Sequence, residues 1–365
     1  MSHLTYVFAF GCVLISSQQP CTRCLADEGD TINLDVHLSD SEENMLAELE
    51  ALIAHPKAGL VHTLTISHTG VSERLTSQLR RLPGLRTLTI GNEAEALETV
   101  VEKDAYRHLA ELTELQYLHL IDTSDEPYTA SEFTSISFLS KLTKLQHLSL
   151  RANITPDDMN ILLRLPLLES FSYSGMAEGI SNQLWNRLVH KSSLRSLYLD
   201  RVGLNFSIRD VFKEPSKVML TRLWLPTCGG RVWTGAEIKR LAELQRLTSL
   251  KIGRINASDT KLLEPLVNLE DLHLETKGAL NDLSVVQSSL KMKRIRVYST
   301  SFDAFRDLAS HPRLSEVSIY AGHYDDSILR LATIPNLRIL RLRGEHEQYA
   351  TLKSALKDVE LIVRK

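Results

Sequence analysis

Thirteen times along this chain the pattern apolar-x-x-apolar-x-apolar returns, from Val61-Leu64-Ile66 to Leu356-Val359-Leu361, with starts 19 to 30 residues apart. No other feature constrains the fold as strongly. A unit of this size cannot bury an apolar face alone, so the copies must stack, each against its neighbours, and the core becomes a column. Length agrees with this. A single globular core stops growing near about 250–300 residues, whereas the 365 residues present here can form one stacked domain for as long as the repeats continue.

Within each copy the alternation is that of a strand, with apolar side chains inward and the intervening ones outward. Between copies the period changes. Leu75, Leu79 and Leu82 fall at helical spacing, and Thr155, Pro156 and Asp158 supply an N-cap, an N1 proline and an N3 acid ahead of Met159, Leu162 and Leu163. Pro83, Pro166, Pro312 and Pro335 stand just before the next strand, where each ends a helix without removing a ladder hydrogen bond. From Val61 to Leu337 there are 276 residues in eleven intervals, a mean of about 25, inside the range of leucine-rich repeats.

From about residue 30 onward the chain resembles the leucine-rich-repeat family. That resemblance implies an α/β solenoid, a curved horseshoe with a parallel concave sheet and helices on the convex side, used for binding. The family's buried Asn or Cys, three residues past the third apolar position, is degenerate here. That site holds Thr69, Thr123, Asn153, Cys228 and Thr300, but Val202, Ile255, Lys277, Gly322 and Glu345 elsewhere. The subfamily is therefore not assignable, and Asn153 and Cys228 are expected as small buried rungs.

Residues 1–26 differ from the rest. Tyr6 to Ile15 is an apolar run, a polar stretch follows, and Cys24-Leu25-Ala26 offers a cut before Asp27, as in a secretory signal peptide. The run is too short to span a bilayer, which needs roughly 20 apolar residues. This predicts a secreted, periplasmic or extracellular protein. The alternative is a cytoplasmic adaptor that presents its array to a complex and uses the leader for docking. Cleavage removes Cys12, Cys21 and Cys24 and leaves Cys228 without a disulfide partner. Residues 27–59 read as an N-terminal capping unit, with a strand over 33–38 and a helix capped by Asp40. Residues 60–365 hold the repeats.

Composition excludes several classes. With 43% hydrophobic and 24% charged residues the chain is neither disordered nor low in complexity, and a net charge of −3 argues against a nucleic-acid protein. There is no GxSxG elbow, no GK[ST] phosphate loop, no HExxH and no acidic calcium loop. The expectation is a non-enzymatic protein with no cofactor and no metal. Asn153, Asn205 and Asn256 open glycosylation triplets, the last two on convex-side connections.

Candidate binding residues come from the outward positions of the strands. Between the second and third apolar residues the chain reads Thr65, Thr89, His119, Ser149 and Ser172, then Tyr198, Trp224, Lys251, His273, Arg296, Ser318 and Arg341. Small polar groups give way to aromatic and basic ones. Adjacent outward positions add Arg222, Arg254, Arg294, Tyr298, Tyr320 and Arg343, interrupted by Asp200, Asp271, Glu275 and Glu316. Trp, Tyr and Arg dominate interface hot spots because they offer rigid contact area or a forked donor array. Tyr198, Trp224, Lys251, His273, Arg296, Tyr298 and Arg341 are therefore the expected binding set, for a protein partner or an anionic ligand. The last strand offers an edge through which two copies could pair.

Overall fold

The computed structural model describes residues 32–36, 42–66, 70–90, 100–101, 105–121, 136–151, 153–175, 177, 179–200, 202, 206–226, 232–324, 326–343, 347 and 349–364. The leader, Asp40, Cys228 and Asn205 lie outside them. Two compact units make up the chain, Met1–Glu169 and Ser170–Lys365.

In the first unit β1 (Ile32–Val36), β2 (Val61–Ile66), β4 (Thr87–Ile90), β6 (Tyr117–Ile121) and β7 (His147–Arg151) lie side by side, all parallel. The two-residue strands β3 (Gly70–Val71) and β5 (Val100–Val101) pair separately. Parallel neighbours require a return segment. The returns are α1 (Glu42–Ala54), α2 (Glu73–Leu79), α3 (Pro156–Arg164) and the 3-10 turns Ala105–Glu111 and Ile136–Lys141. Their apolar faces close over the inward side of the strands, so Met45, Leu75, Leu79, Leu109 and Leu139 are buried with Leu64, Leu88, Leu118 and Leu148. Each such side chain contributes about 1.5–3 kcal/mol on burial.

The second unit continues the scheme. Its strands are β8 (Ser170–Ser174), β9 (Ser196–Asp200), β10 (Arg222–Leu225), β11 (Ser249–Asn256), β12 (Asp271–Lys277), β13 (Arg294–Phe302), β14 (Glu316–Tyr324), β15 (Ile339–Arg343) and β16 (Glu360–Arg364). Each pairs in parallel with the next. Returns run through α4 (Asn182–Val189), α5 (Ile208–Val211), α6 (Gly235–Ala242), α7 (Ser284–Ser288), α8 (Phe305–Leu308), α9 (Tyr349–Ala355) and short 3-10 turns. One strand and one return per repeat is the leucine-rich-repeat fold.

Register follows the sequence pattern closely, because apolar residues two apart must face the same side. Phe171, Leu197, Leu223, Leu250, Leu272, Ile295, Val317 and Leu340 align as one inward row. The last copy departs from it. Leu340 pairs with Leu361 and Leu342 with Val363, so by register Leu361 and Val363 take the inward places of β16, although Val363 stays 40% exposed on this last strand. The Leu356-Val359-Leu361 reading is two residues out of register. Val359 and Leu361 share the apolar spacing by coincidence, and Val359 lies in the turn before the strand.

The buried-rung expectation also needs correction. Asn153 is exposed and its neighbour Ile154 is buried. Elsewhere the inward residue wanders, with Val202 and Ile255 at the expected offset, but Thr276 one residue early and Phe302 two residues late. Strand length explains the drift. β12 and β13 run seven and nine residues, and β11 is interrupted by a register shift between Ile252 and Ile255, so the exit turns do not superimpose.

Candidate binding face

Strand pairing in the second unit sets the outward residues in three parallel rows. The central row runs Ser172, Tyr198, Trp224, Lys251, His273, Arg296, Ser318, Arg341 and Ile362, each directly in register with the next. One row lies two residues earlier, with Ser196, Arg222, Ser249, Asp271, Arg294, Glu316, Ile339 and Glu360. The other lies two residues later and contains Glu275, Tyr298 and Tyr320 in register. Six of the seven candidate residues thus share one row, and Tyr298 stands in the next.

Two clusters form on this face. In the first, Tyr198 meets Trp224 edge to face with ring centroids 5.8 Å apart, and Lys251 Nζ stands 5.9 Å from the Trp224 ring centre. Trp224 is held further by its Nε1, which donates to Ser249 Oγ at 3.2 Å. An edge-to-face pair with a cation over the ring is favourable electrostatically as well as by burial. Burial pushes the Lys251 ammonium below the usual lysine range, while Asp200 and Glu275 pull it back up. The result is a pre-formed aromatic anchor with an adjacent cation.

In the second cluster His273, Tyr298 and Tyr320 stack in succession, with centroids 5.3 Å and 4.6 Å apart. Burial, reinforced by the charge of Lys251, pushes the His273 imidazole down to about 3, so the ring is neutral at physiological pH. Tyr320 and Ser318 face outward by register and yet are only 7% and 3% exposed, so β14 is the recessed floor of this part of the face. Arg341 lies near Glu316 at 3.7 Å, and Arg294 bonds Asp271 at 2.9 Å. Half-exposed pairs of this kind fix side-chain direction more than they stabilise the fold.

The edge of the first cluster is shaped by backbone. A Cβ at Gly253 would collide with the Pro226 carbonyl oxygen, so only glycine permits that approach. Arg254 then adopts φ 54°, the left-handed region, and the chain shifts register so that Ile255 turns inward. Arg254 therefore belongs to a bulge and not to the rows, contrary to its sequence placement. A lone glycine inside a strand pattern was the available signal for it. Ser249 carried no such signal, and neither did the recess at Ser318.

Among its described residues the first unit also has an outward aromatic contact. Tyr117, 41% exposed, stacks on His147 at 4.1 Å. These residues lie two positions before the central ones in their strands, so reading the central positions alone passes over them. In the central row of that unit, burial pushes His119 down to about 4. Asn256, at the end of β11, is exposed and its Nδ2 donates to Asp259 at 3.0 Å. Among the described residues no helix is long and apolar enough to cross a membrane.

No family profile matches the chain, and no curated protein matches it. Among solved structures, an internalin from Listeria monocytogenes is similar over 91% of this chain and 86% of its own, at 16% identity and a TM-score of 0.47. Internalin C2 of the same organism is similar over 56% of this chain and 83% of its own, at 18% identity and a TM-score of 0.40. A leucine-rich-repeat protein of Leptospira interrogans is similar over 91% of this chain and 95% of its own, at 14% identity and a TM-score of 0.38.

Proposed function

We propose that this chain is a non-enzymatic recognition protein that binds another protein through the outward sheet face of residues 170–365. The observation that supports this best is the Tyr198–Trp224–Lys251 cluster. Its rings are held by an edge contact, a cation and the Ser249 hydrogen bond, in a row that also carries Arg296 and Arg341. A rigid aromatic anchor loses little entropy on binding, which is why such groups dominate interface energies. An exported site of action agrees with the apolar run in the leader. N-terminal sequencing of the mature protein tests that part, with a start at Asp27 expected.

The binding role is tested by capturing partners with the full chain and comparing the Trp224→Ala and Arg296→Ala variants, with circular dichroism to verify folding. Loss of one hot-spot side chain costs about 2 kcal/mol or more, a thirtyfold weakening. Folded variants that hold the captured partner with unchanged affinity would refute the site.

A further inference from the structure

The central row of the second unit carries no carboxylate, and its cations recur on every second strand. Lys251 stands on β11, Arg296 on β13 and Arg341 on β15. Between them lie His273, a neutral ring, and Ser318, a buried hydroxyl. Neighbouring strands are about 4.8 Å apart, so the strand positions that carry these cations repeat at roughly 9.6 Å across the sheet, with Lys251 reaching toward Trp224 on β10 and Arg341 toward Glu316 on β14. The Tyr198–Trp224 pair closes the Lys251 end of the row.

A ligand matched to this comb needs anionic groups at the same interval on one side. Polyproline II provides it: about 3.1 Å per residue and three residues per turn place every third side chain on one face, roughly 9.3 Å apart. A β-strand does not, because residues three apart point to opposite faces. Polyproline segments also dock on aromatic surfaces, which the Trp224 and Tyr198 rings supply. A nucleic-acid backbone fits less well, since Asp271 and Glu316 on one side of the row and Asp200 and Glu275 on the other repel a continuous line of phosphates.

We infer that the face binds an extended, proline-containing protein segment laid across the strands, with an acidic residue at every third position. Successive carboxylates meet Lys251, Arg296 and Arg341, and a proline rests on the Tyr198–Trp224 pair. This deepens the reading of the face as a protein-binding surface and rests on it.

Three peptides of identical composition, about nine residues or three polyproline turns long, test the spacing against the full chain. One carries Glu at every third position, one at every second, and one has its Glu residues contiguous, with Pro and Ala in the remaining positions. By fluorescence polarisation the first binds about tenfold tighter than either isomer, the effect of one charge-assisted hydrogen bond. Arg296→Ala reduces its affinity by a similar factor, whereas Arg240→Ala, on the return helix α6 and outside the sheet face, leaves it unchanged. Equal binding of the three peptides, no binding, or tighter binding of single-stranded DNA of equal charge overturns the inference. Partner capture that is lost in Trp224→Ala while the three peptides bind equally would leave the face reading intact and remove only the comb.

Discussion

His273 shows how far one residue's chemistry depends on its neighbours in space. Its sequence position marks it as outward, and a histidine there reads as a polar contact or a charge that titrates near neutrality. Burial and the neighbouring Lys251 instead push the folded-state value from 6.5 to about 3. Between those values the unfolded chain binds a proton that the folded chain does not. Stability is therefore complete above about pH 6.5 and falls as pH drops toward 3, by about 1.4 kcal/mol per unit. His119, pushed down to about 4 by burial, adds the same slope from 6.5 to 4. Urea denaturation of His273→Gln and the unmodified chain at pH 6.5 and pH 4 should differ by about 3 kcal/mol in the stability lost. Equal losses would show that the folded ring takes up the proton.

At the scale of elements, the return of α3 was legible because its cap is local. Thr155, Pro156 and Asp158 lie within four residues, and the structure has the full capping box, with Thr155 Oγ1 accepting from Asp158 N and Thr155 N donating to Asp158 Oδ2 at 3.0 Å. What spacing could not reveal is the second use of Asp158. Its Oδ1 accepts from Ile136 N at 3.2 Å, across to the preceding return, and both groups are buried. Asp307 repeats the device, with Oδ2 accepting from Leu283 N at 2.7 Å. Thr155→Ala removes a cap and should cost about 1 kcal/mol. Asp158→Ala also strands a buried amide and should cost about 2–3 kcal/mol. Equal values in chemical denaturation would mean that the bond between returns contributes nothing. The β11 bulge escaped the sequence reading for the same reason, since the carbonyl that requires Gly253 belongs to Pro226 in the previous repeat.

For the molecule as a whole, the inward positions were readable because every repeat imposes the same demand on them. The four copies of the first unit fall in register with one another, and so do eight of the nine in the second. The outward rows have no such shared demand, so their residues could be enumerated from the sequence, but their contacts could not. This division separates stability from recognition. Leu250 is 1% exposed in the inward row, whereas Arg341, in the outward row, keeps 24% of its side chain exposed beside Glu316. Leu250→Ala removes buried methyl groups and leaves a cavity, at about 2–5 kcal/mol. Arg341→Ala loses one solvent-screened pair and part of an aliphatic stem, at about 1 kcal/mol or less. Because repeats couple only to their neighbours, the deficit from Leu250→Ala should appear in the unfolding of the unit that contains it, while Arg341→Ala leaves the denaturation curve nearly superimposable on the parent. If Arg341→Ala were as destabilising as Leu250→Ala, the outward row would be scaffold. Its aromatic and basic character would then reflect packing and not a ligand.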